Sequence, residues 1–437
     1  MDPDTEVALP IEEHQDDEIE DRPGGMRQVW MLSFSLAILQ IGFGLVTPIF
    51  PFYINSLGMA GIELGVLAAS FAIARIFLAG PMGRLSDRVG RKPILMISLL
   101  GFAFSNIVYA YAYDVIVMIA ARSLEGAVSA GFFPAANAFV SDVTTRKNRG
   151  TAMGYLSMGN MVGFVVGPAL GGFLAQFLGI RIPFILAGIA ALLTMGLLYV
   201  LVQEPVKKTI KEAIPKVPIR EVLSRARGIY GALGVAMFAN MFAMGILEVA
   251  FMLDAVINLG IQPYEIGIFF GVIGVTMIFG NVGFGKLSDM KGRKWLIVIG
   301  AIIGAASMGM FILAQNSVDL MIAGIVLSIG MSMRGPAIQA LIADVTDPSA
   351  YGTMMGVFGA VSNSAYAVSP LISGQIFDDT GSAALSLLIG AGVSVAGGAV
   401  AAVLLPGNTS KETSVVDSDK EVEGIDILGD DGTSLST

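Results

Sequence analysis

The chain has 437 residues, of which 54% are hydrophobic and 14% are charged, whereas soluble domains average about 25% charged residues. The formal net charge of −9 is concentrated at the two ends: residues 1–28 carry net −8, residues 407–437 carry net −6, and the apolar body between them is slightly basic at net +5. Because cysteine is absent and the one histidine, His14, lies in the acidic N-terminal segment, disulfides, a thiol nucleophile and a Cys- or His-ligated metal in the body are excluded, and a membrane protein is indicated.

The apolar body consists of long, nearly uncharged segments separated by short charged ones. Since a helix that crosses a bilayer needs about 20 mostly apolar residues, this pattern predicts an all-α integral membrane protein. Twelve membrane-spanning helices are expected, at approximately 29–53, 62–83, 93–112, 115–140, 150–175, 182–202, 229–252, 264–285, 295–314, 319–342, 352–376 and 382–405. No cleaved signal peptide is expected, because the first apolar segment is too long for one and its flank is acidic.

Polar segments divide the chain into five parts. Residues 203–228 form the longest internal polar stretch and contain three prolines, so we interpret them as a cytoplasmic linker between an N-terminal bundle at 29–202 and a C-terminal bundle at 229–406. The tails, 1–28 and 407–437, are acidic and lack an apolar helical period, which predicts that both are disordered.

Lysine and arginine are concentrated in alternate loops. The segments between predicted helices 2 and 3, 4 and 5, 6 and 7, and 8 and 9 are rich in these residues, whereas the loops on the other side share only Arg181. Basic loops of membrane proteins stay on the cytoplasmic side. The pattern therefore predicts a multi-pass plasma-membrane protein with both termini in the cytoplasm.

The two predicted halves repeat each other at a shift of 202 residues, without a gap. At this shift Gly83–Lys92 coincides with Gly285–Lys294, and Asp142–Thr144 coincides with Asp344–Thr346. Chance similarity between apolar helices does not explain why loop charges also align. We therefore expect two pseudo-symmetric six-helix bundles, related by an axis along the membrane normal, with a central cavity that opens to alternate sides.

The repeated loop sequence GRLSDRVGRK resembles the signature between helices 2 and 3 of the major facilitator superfamily. In that family the motif residues and an acid after helix 4 form a latch that holds the halves together on the cytoplasmic side in the outward-open state. The resemblance implies two such sets here, Gly83, Asp87, Arg91 and Asp142 in the first half, and Gly285, Asp289, Arg293 and Asp344 in the second. The alternative is a basic loop that only fixes the topology.

Predicted helix 4 carries two charges inside the membrane, Arg122 and Glu125. They stand three residues apart and so lie on one helical face. The family motif at this place is Arg-x-x-Gln-Gly, so Glu125 replaces the usual glutamine. A carboxylate at this depth must be paired or protonated, and we predict that the pair couples transport to protons; the alternative is a static ion pair that braces the helix.

Predicted helix 5 carries small residues at regular spacing. Its pattern resembles the signature of the 12-helix drug:proton antiporter branch, which contains tetracycline and multidrug exporters. Glycines four residues apart let two helices touch, and a proline adds a bend, so the set is interpreted as a hinge; ordinary small-residue packing is the alternative. The residues are Gly154, Gly163, Gly167, Pro168, Gly171 and Gly172.

Five further polar residues within predicted helices are candidates for the substrate cavity. Gln40 stands on helix 1, where many relatives carry an acid. Glu248 on helix 7 is expected near the outer mouth, where it could attract a cationic substrate or simply be a solvated rim acid. The remaining candidates are Arg75, Asn240 and Arg334.

The resemblance extends over residues 29–406 and implies a secondary transporter without enzymatic activity. Proton-coupled efflux of amphiphilic or cationic small molecules is the main prediction. Proton-coupled uptake of a metabolite and a non-transporting sensor or scaffold are the alternatives, and Na⁺ remains a possible coupling ion. The expected partners are the lipid bilayer, a small-molecule substrate and protons. A monomer is expected, without cofactor or metal, and the absence of a basic domain with interleaved aromatic residues argues against nucleic-acid binding.

Overall fold

The computed structural model describes residues 25–204, 226–346 and 351–406. Nearly all of the two predicted tails, 1–28 and 407–437, and most of the predicted linker lie outside the described residues. Residue 25 already belongs to the first helix, so this helix begins before the predicted tail ends.

Twelve long helices make up the described parts of the chain. They are α1 Gly25–Ser56, α2 Gly61–Val89, α3 Arg91–Tyr111, α4 Val115–Val143, α5 Arg146–Leu178, α6 Ile182–Leu201, α7 Gly228–Asn258, α8 Pro263–Lys291, α9 Arg293–Leu313, α10 Ser317–Val345, α11 Tyr351–Thr380 and α12 Ala384–Leu404. Eleven of these are long and apolar enough to cross a membrane. The other is α11, which has 30 residues. The predicted all-α membrane fold is thereby confirmed.

The helices extend beyond their apolar spans, so the motif loops are shorter than predicted. Helix α2 continues to Val89 and α8 to Lys291, which leaves Gly90 and Gly292 as the linking residues. Both have positive φ, +118° and +90°, a conformation that glycine adopts at little cost. Hydropathy detects the end of the bilayer, whereas charged residues with good helix propensity continue the helix in water.

The helices pack as two bundles with the same internal pattern. In the first, α1 packs on α5 and α6, α2 on α4, and α3 on α4 and α6. In the second, α7 packs on α11 and α12, α8 on α10, and α9 on α10 and α12. Each pairing in one half has its counterpart in the other, so the predicted pair of pseudo-symmetric six-helix bundles is confirmed.

The two halves meet mainly through α2 with α11 and α5 with α8. We call the end of the molecule that carries Gly90 and Gly292 the motif side, and the other end the far side. The core cluster near the far side of the first half includes Val249, Leu253 and Phe377 of the second. The two core clusters near the motif side each contain residues of one half alone. The halves are therefore joined at the far side and separate toward the motif side.

Candidate functional site

A cavity of about 100 Å³ lies between the two halves. Helices α1, α2, α4 and α5 line it from one half, and α7 to α10 line it from the other. Six phenylalanines and four methionines, including Phe50, Phe269 and Met244, give it an apolar wall; its only charged lining residues in the described chain are Arg122 and Glu248. Pockets for drug-sized ligands measure about 300–1,000 Å³, so such a ligand requires the halves to separate further.

Arg122 and Glu125 form an ion pair on α4. Nη1 of Arg122 donates to Oε2 of Glu125 over 2.7 Å, and the two residues are 4% and 2% exposed. The hydroxyl of Tyr109 on α3 donates to the same carboxylate oxygen over 3.0 Å. The predicted pair is thus in contact, and Glu125 is held behind the cavity wall, whereas Arg122 reaches the cavity itself.

Aromatic rings surround the Arg122 guanidinium. Its central carbon lies 4.8 Å from the ring centre of Phe71, 5.0 Å from that of Phe50 and 5.8 Å from that of Phe43. A cation over an aromatic face is attracted by the ring quadrupole, and more strongly where water is excluded. These rings stabilise the charge of Arg122 inside the apolar wall without neutralising it.

Glu248 lies in the cavity wall and not at the outer mouth. Helix α7 continues for ten residues beyond Glu248, to Asn258. The prediction counted residues from the start of this helix and therefore placed Glu248 too close to the far side. The hydroxyl of Tyr366 on α11 donates a hydrogen bond to Oε2 of Glu248. Arg122 and Glu248 thus line the same cavity from opposite halves.

The other cavity candidates do not line this space. Gln40 packs beside Gly163 of α5, and Asn240 is partly buried on α7. Arg75 is partly exposed and lies 5.9 Å from the ring centre of Phe133. Arg334 lines a different and smaller cavity inside the C-terminal bundle. None of the four is among the described lining residues of the central cavity.

The motif arginine of each half pairs with acids of the same half. In the first half Arg91 bonds to Asp87 over 2.6 Å and to Asp142 over 3.2 Å, which joins α2, α3 and α4 at the motif side. In the second half Arg293 pairs with Asp344, and the predicted third member, Asp289, is in none of the described ion pairs. An added Cβ at Gly83 or Gly285 would meet no atom of the described residues within 4 Å. In this conformation the described ion pairs of the motif do not bridge the halves, so any latch between them belongs to another conformation.

Asp142→Asn distinguishes a latch from a loop that only sets topology. These carboxylates are partly exposed, at 65% for Asp87 and 36% for Asp142, so we expect the free energy of unfolding to change by less than about 1 kcal/mol. The substitution leaves the number of basic loop residues unchanged. Transport into vesicles should nevertheless fall several-fold if the motif is a latch, and Asp344→Asn tests the second copy. Full transport activity in both variants would support the topology interpretation.

The helix-5 glycines face two different partners. Gly163, Gly167 and Gly171 contact α1: an added Cβ would meet Gln40, Gly44 and Leu45, respectively. These three glycines, together with Pro168 packed on Gly44, form a close helix–helix contact inside the N-terminal bundle. Gly172 instead faces the other half, where an added Cβ would lie 2.8 Å from Cα of Gly267 on α8. Gly154 has open space beside it.

A second glycine contact closes the far side between α2 and α11. An added Cβ at Gly374 would lie 3.0 Å from Cα of Ile62, and one at Gly65 would lie 3.3 Å from Cα of Leu371. At the shift of 202 residues Gly374 is the counterpart of Gly172, and Gly65 is the counterpart of Gly267. The far side is thus closed by two equivalent glycine contacts.

Asp378 of α11 adds a polar contact between the halves at the far side. Its carboxylate accepts hydrogen bonds from the backbone N–H groups of Gly61, over 2.6 Å, and Ile62, over 2.8 Å. These groups begin α2, where free N–H groups and the helix dipole favour a negative charge. The sequence did not predict the roles of three residues: Tyr109, Tyr366 and Asp378. Each forms a hydrogen bond with a residue of another helix, and such a contact produces no local sequence pattern.

Comparison with known proteins agrees with this architecture. The family model described as Major Facilitator Superfamily matches residues 32–253 and 233–429. The chain belongs to the major facilitator superfamily. The resemblance predicted from the motifs is confirmed, and transport is the function of this family.

Two curated relatives are drug-resistance proteins. The chain is 26% identical to "Multidrug resistance protein 2" of Bacillus subtilis (strain 168) over 354 residues, covering 80% of this chain and 88% of the relative. It is 25% identical to "Quinolone resistance protein NorA" of Staphylococcus aureus (strain MRSA252) over 378 residues, covering 85% and 95%. Among solved structures, the nucleoside transporter NupG has a TM-score of 0.72 at 14% identity and covers 88% of this chain and 100% of its own; that likeness concerns the fold alone.

Proposed function

We propose that the protein is a secondary active transporter of the plasma membrane that exports cationic amphiphilic compounds in exchange for protons by alternating access, with both termini in the cytoplasm. The observation that carries the proposal is the central cavity, an apolar chamber with one carboxylate facing one buried arginine. The names of the two curated relatives, multidrug and quinolone resistance proteins, support the same class of substrate.

The charges around the cavity favour exchange of one cation for one proton. Arg122, Glu125 and Glu248 together carry a net charge of −1 when all three are ionised. Uncompensated charge is costly in a low-dielectric site, so the group favours one additional positive charge. A proton or a monovalent cationic substrate can each supply it, but both together would leave net +1. Competition between the two is the physical basis of antiport.

Arg122 connects the two carboxylates. It bonds to Glu125 on its own helix and lines the same cavity as Glu248 of the opposing half. When Glu248 is protonated or occupied by a cation, Arg122 is attracted mainly to Glu125. When Glu248 is free and ionised, Arg122 is also attracted across the boundary between the halves. The occupancy of Glu248 can thereby bias the separation of the bundles, which is the coupling that alternating access requires.

The apolar wall fits varied substrates more readily than a polar metabolite. Methionine and phenylalanine side chains adapt to ligands of different shapes. A sugar or nucleotide would instead require many fixed hydrogen-bond donors and acceptors, and Thr47, Arg122 and Glu248 are the polar residues that line the cavity in the described chain. This disfavours uptake of a polar metabolite, the first alternative.

Inside-out vesicles with an acidic lumen and a pH-sensitive dye test the exchange. Adding a cationic dye or antibiotic to vesicles with the wild-type protein should release lumenal protons. Addition of a sugar or nucleoside should not. If sugars or nucleosides, and no cationic compound, move protons across the vesicle membrane, uptake of a metabolite replaces efflux as the function. If no compound in a broad panel moves protons or accumulates in the vesicles, the transport proposal fails in favour of a sensor or scaffold. Replacing H⁺ by an Na⁺ gradient distinguishes the coupling ion.

Glu125→Gln tests the role of the buried pair in the same assay. The substitution removes one negative charge and leaves Arg122 available to Glu248, so the group is neutral without a proton or a cation. We expect proton release driven by cationic compounds to fall at least about tenfold, because an ion-paired hydrogen bond contributes about 1.5–3 kcal/mol. Tyr109→Phe is the matched control, since it removes a hydrogen bond to Glu125 and no charge. Wild-type proton release in Glu125→Gln would assign the pair a bracing role only.

A further inference from the structure

Arg334 is a buried cation that the central cavity does not use. It lies on α10, is 5% exposed, and donates one hydrogen bond, from Nη1 to Oγ of Ser394 on α12 over 3.2 Å. Within the described chain its Nε has no hydrogen-bond partner. No carboxylate in the described parts of the chain pairs with it. Its situation is unlike that of Arg122, which is equally buried but bonded to Glu125.

A lone arginine inside a membrane bundle is costly. Transfer of an isolated charge from water into an apolar interior carries a large penalty unless a counter-charge and hydrogen bonds compensate it. The neutral hydroxyl of Ser394 supplies one hydrogen bond and no charge. That hydroxyl is itself engaged, since it donates to the carbonyl oxygen of Ala301 over 3.1 Å. In the described chain the guanidinium therefore has free donors and no compensating negative charge.

The guanidinium borders a small cavity inside the C-terminal bundle. This cavity measures about 10 Å³, which is close to the smallest space that holds one water-sized particle. Helices α7, α9, α10 and α12 surround it, and most of its lining residues other than Arg334 are small: Ala236, Ala239, Ala301, Ser394, Gly397 and Gly398. The space is too small for an organic substrate and is close to that of one water molecule. Because chloride is larger than water, a chloride ion at this place requires the helices around the cavity to move apart slightly.

The N-terminal bundle shows that this space is specific to the C-terminal half. At the shift of 202 residues Arg334 corresponds to Phe132, and Gly304 corresponds to Phe102. Both phenylalanines are buried, and their ring centres lie 6.3 Å apart. In the C-terminal half an added Cβ at Gly304 would lie 3.6 Å from a guanidinium nitrogen of Arg334. The cation and the glycine that makes room for it thus replace an aromatic pair.

We propose that this cavity binds a small monovalent inorganic anion, such as chloride, as a fixed counter-ion of Arg334. The anion would accept hydrogen bonds from Nε and from the remaining Nη donors. A water molecule could accept the same bonds but would leave the positive charge uncompensated. The site is separate from the transport cavity and has a structural role, which makes it independent of the proposed substrate class.

Thermal unfolding of the purified full-length protein in detergent tests the site. Chloride is titrated against gluconate at constant ionic strength. Because a ligand that binds only the folded state raises its stability, the wild-type unfolding temperature should rise with chloride until it saturates. Arg334→Met should not respond, and in chloride-free buffer it should be at least as stable as the wild type, since it removes an uncompensated buried charge. Arg75→Met, which removes a partly exposed membrane arginine, should keep the response.

Bromide gives a second readout that does not depend on a variant. Crystals of the wild-type protein grown in bromide should show an anomalous scattering peak within hydrogen-bonding distance of the Arg334 guanidinium. This decides the question by itself if Arg334→Met does not fold. The proposal is overturned if the wild type shows no chloride dependence, if Arg334→Met shows the same dependence, or if no bromide peak lies at Arg334. Water then fills the cavity.

Discussion

Glu248→Gln is expected to abolish proton release driven by cationic compounds and to leave the fold intact. Glutamine retains the size of the side chain and a hydrogen-bond partner for the hydroxyl of Tyr366. The charge group of Arg122, Glu125 and the substituted residue becomes neutral, so it no longer favours a proton or a cation. Loss of a charge-assisted contact of about 1.5–3 kcal/mol corresponds to at least about a tenfold loss of affinity.

Binding of a cationic and a neutral fluorescent compound of similar size to the purified protein is the sharpest measurement. Glu248→Gln should weaken binding of the cation and leave binding of the neutral compound near the wild-type value, because the apolar wall is unchanged. Asp254→Asn is the matched control, since it removes an acid from the same helix outside the described lining of the cavity. Equal affinity of Glu248→Gln and wild type for the cation would show that Glu248 does not bind substrate charge.

Much of the fold could be predicted because the bilayer acts on long segments of sequence. Each spanning helix must satisfy its backbone internally and present an apolar surface, so the apolar segments gave all twelve helices. The ends of α2 and α8 were less predictable, since Gly83–Val89 and Gly285–Lys291 are helical in spite of their charges. Helix formation and membrane burial have different causes, and hydropathy reports only the second.

The candidate site was predictable only where one helix or a repeated motif carried the information. The contact between Arg122 and Glu125 follows from their spacing on one helix. The depth and partner of Glu248 depend on the extension of α7 and on Tyr366, which lies 118 residues away. Arg334 was predicted to line the substrate cavity because the sequence places it within a membrane-spanning helix. The sequence does not show the direction in which its side chain points.

Gly172→Ala is expected to keep the far side of the protein from closing. An added Cβ would lie 2.8 Å from Cα of Gly267 and would also meet the carbonyl oxygen of Pro263. Both are backbone atoms that cannot move aside by a change of rotamer. Overpacking of this kind costs about 1–3 kcal/mol, and this cost applies only to the conformation in which α5 and α8 touch. The equilibrium should therefore shift about 5–150-fold toward the conformation that is open at the far side.

The absence of native cysteine makes this shift directly measurable. Met252 lines the cavity and is 3% exposed when the far side is closed, so Met252→Cys reports opening through its reaction with a membrane-impermeant maleimide added from the far side. Labelling should accelerate in Gly172→Ala and in Gly374→Ala, the equivalent substitution at the other contact. Gly196→Ala on α6 is the control, because an added Cβ there meets no atom of the described part of the chain within 4 Å. Unchanged labelling in both gate variants would mean that the glycine contacts do not control closure, whereas acceleration in one alone would show that the two contacts are mechanically unequal despite their symmetry.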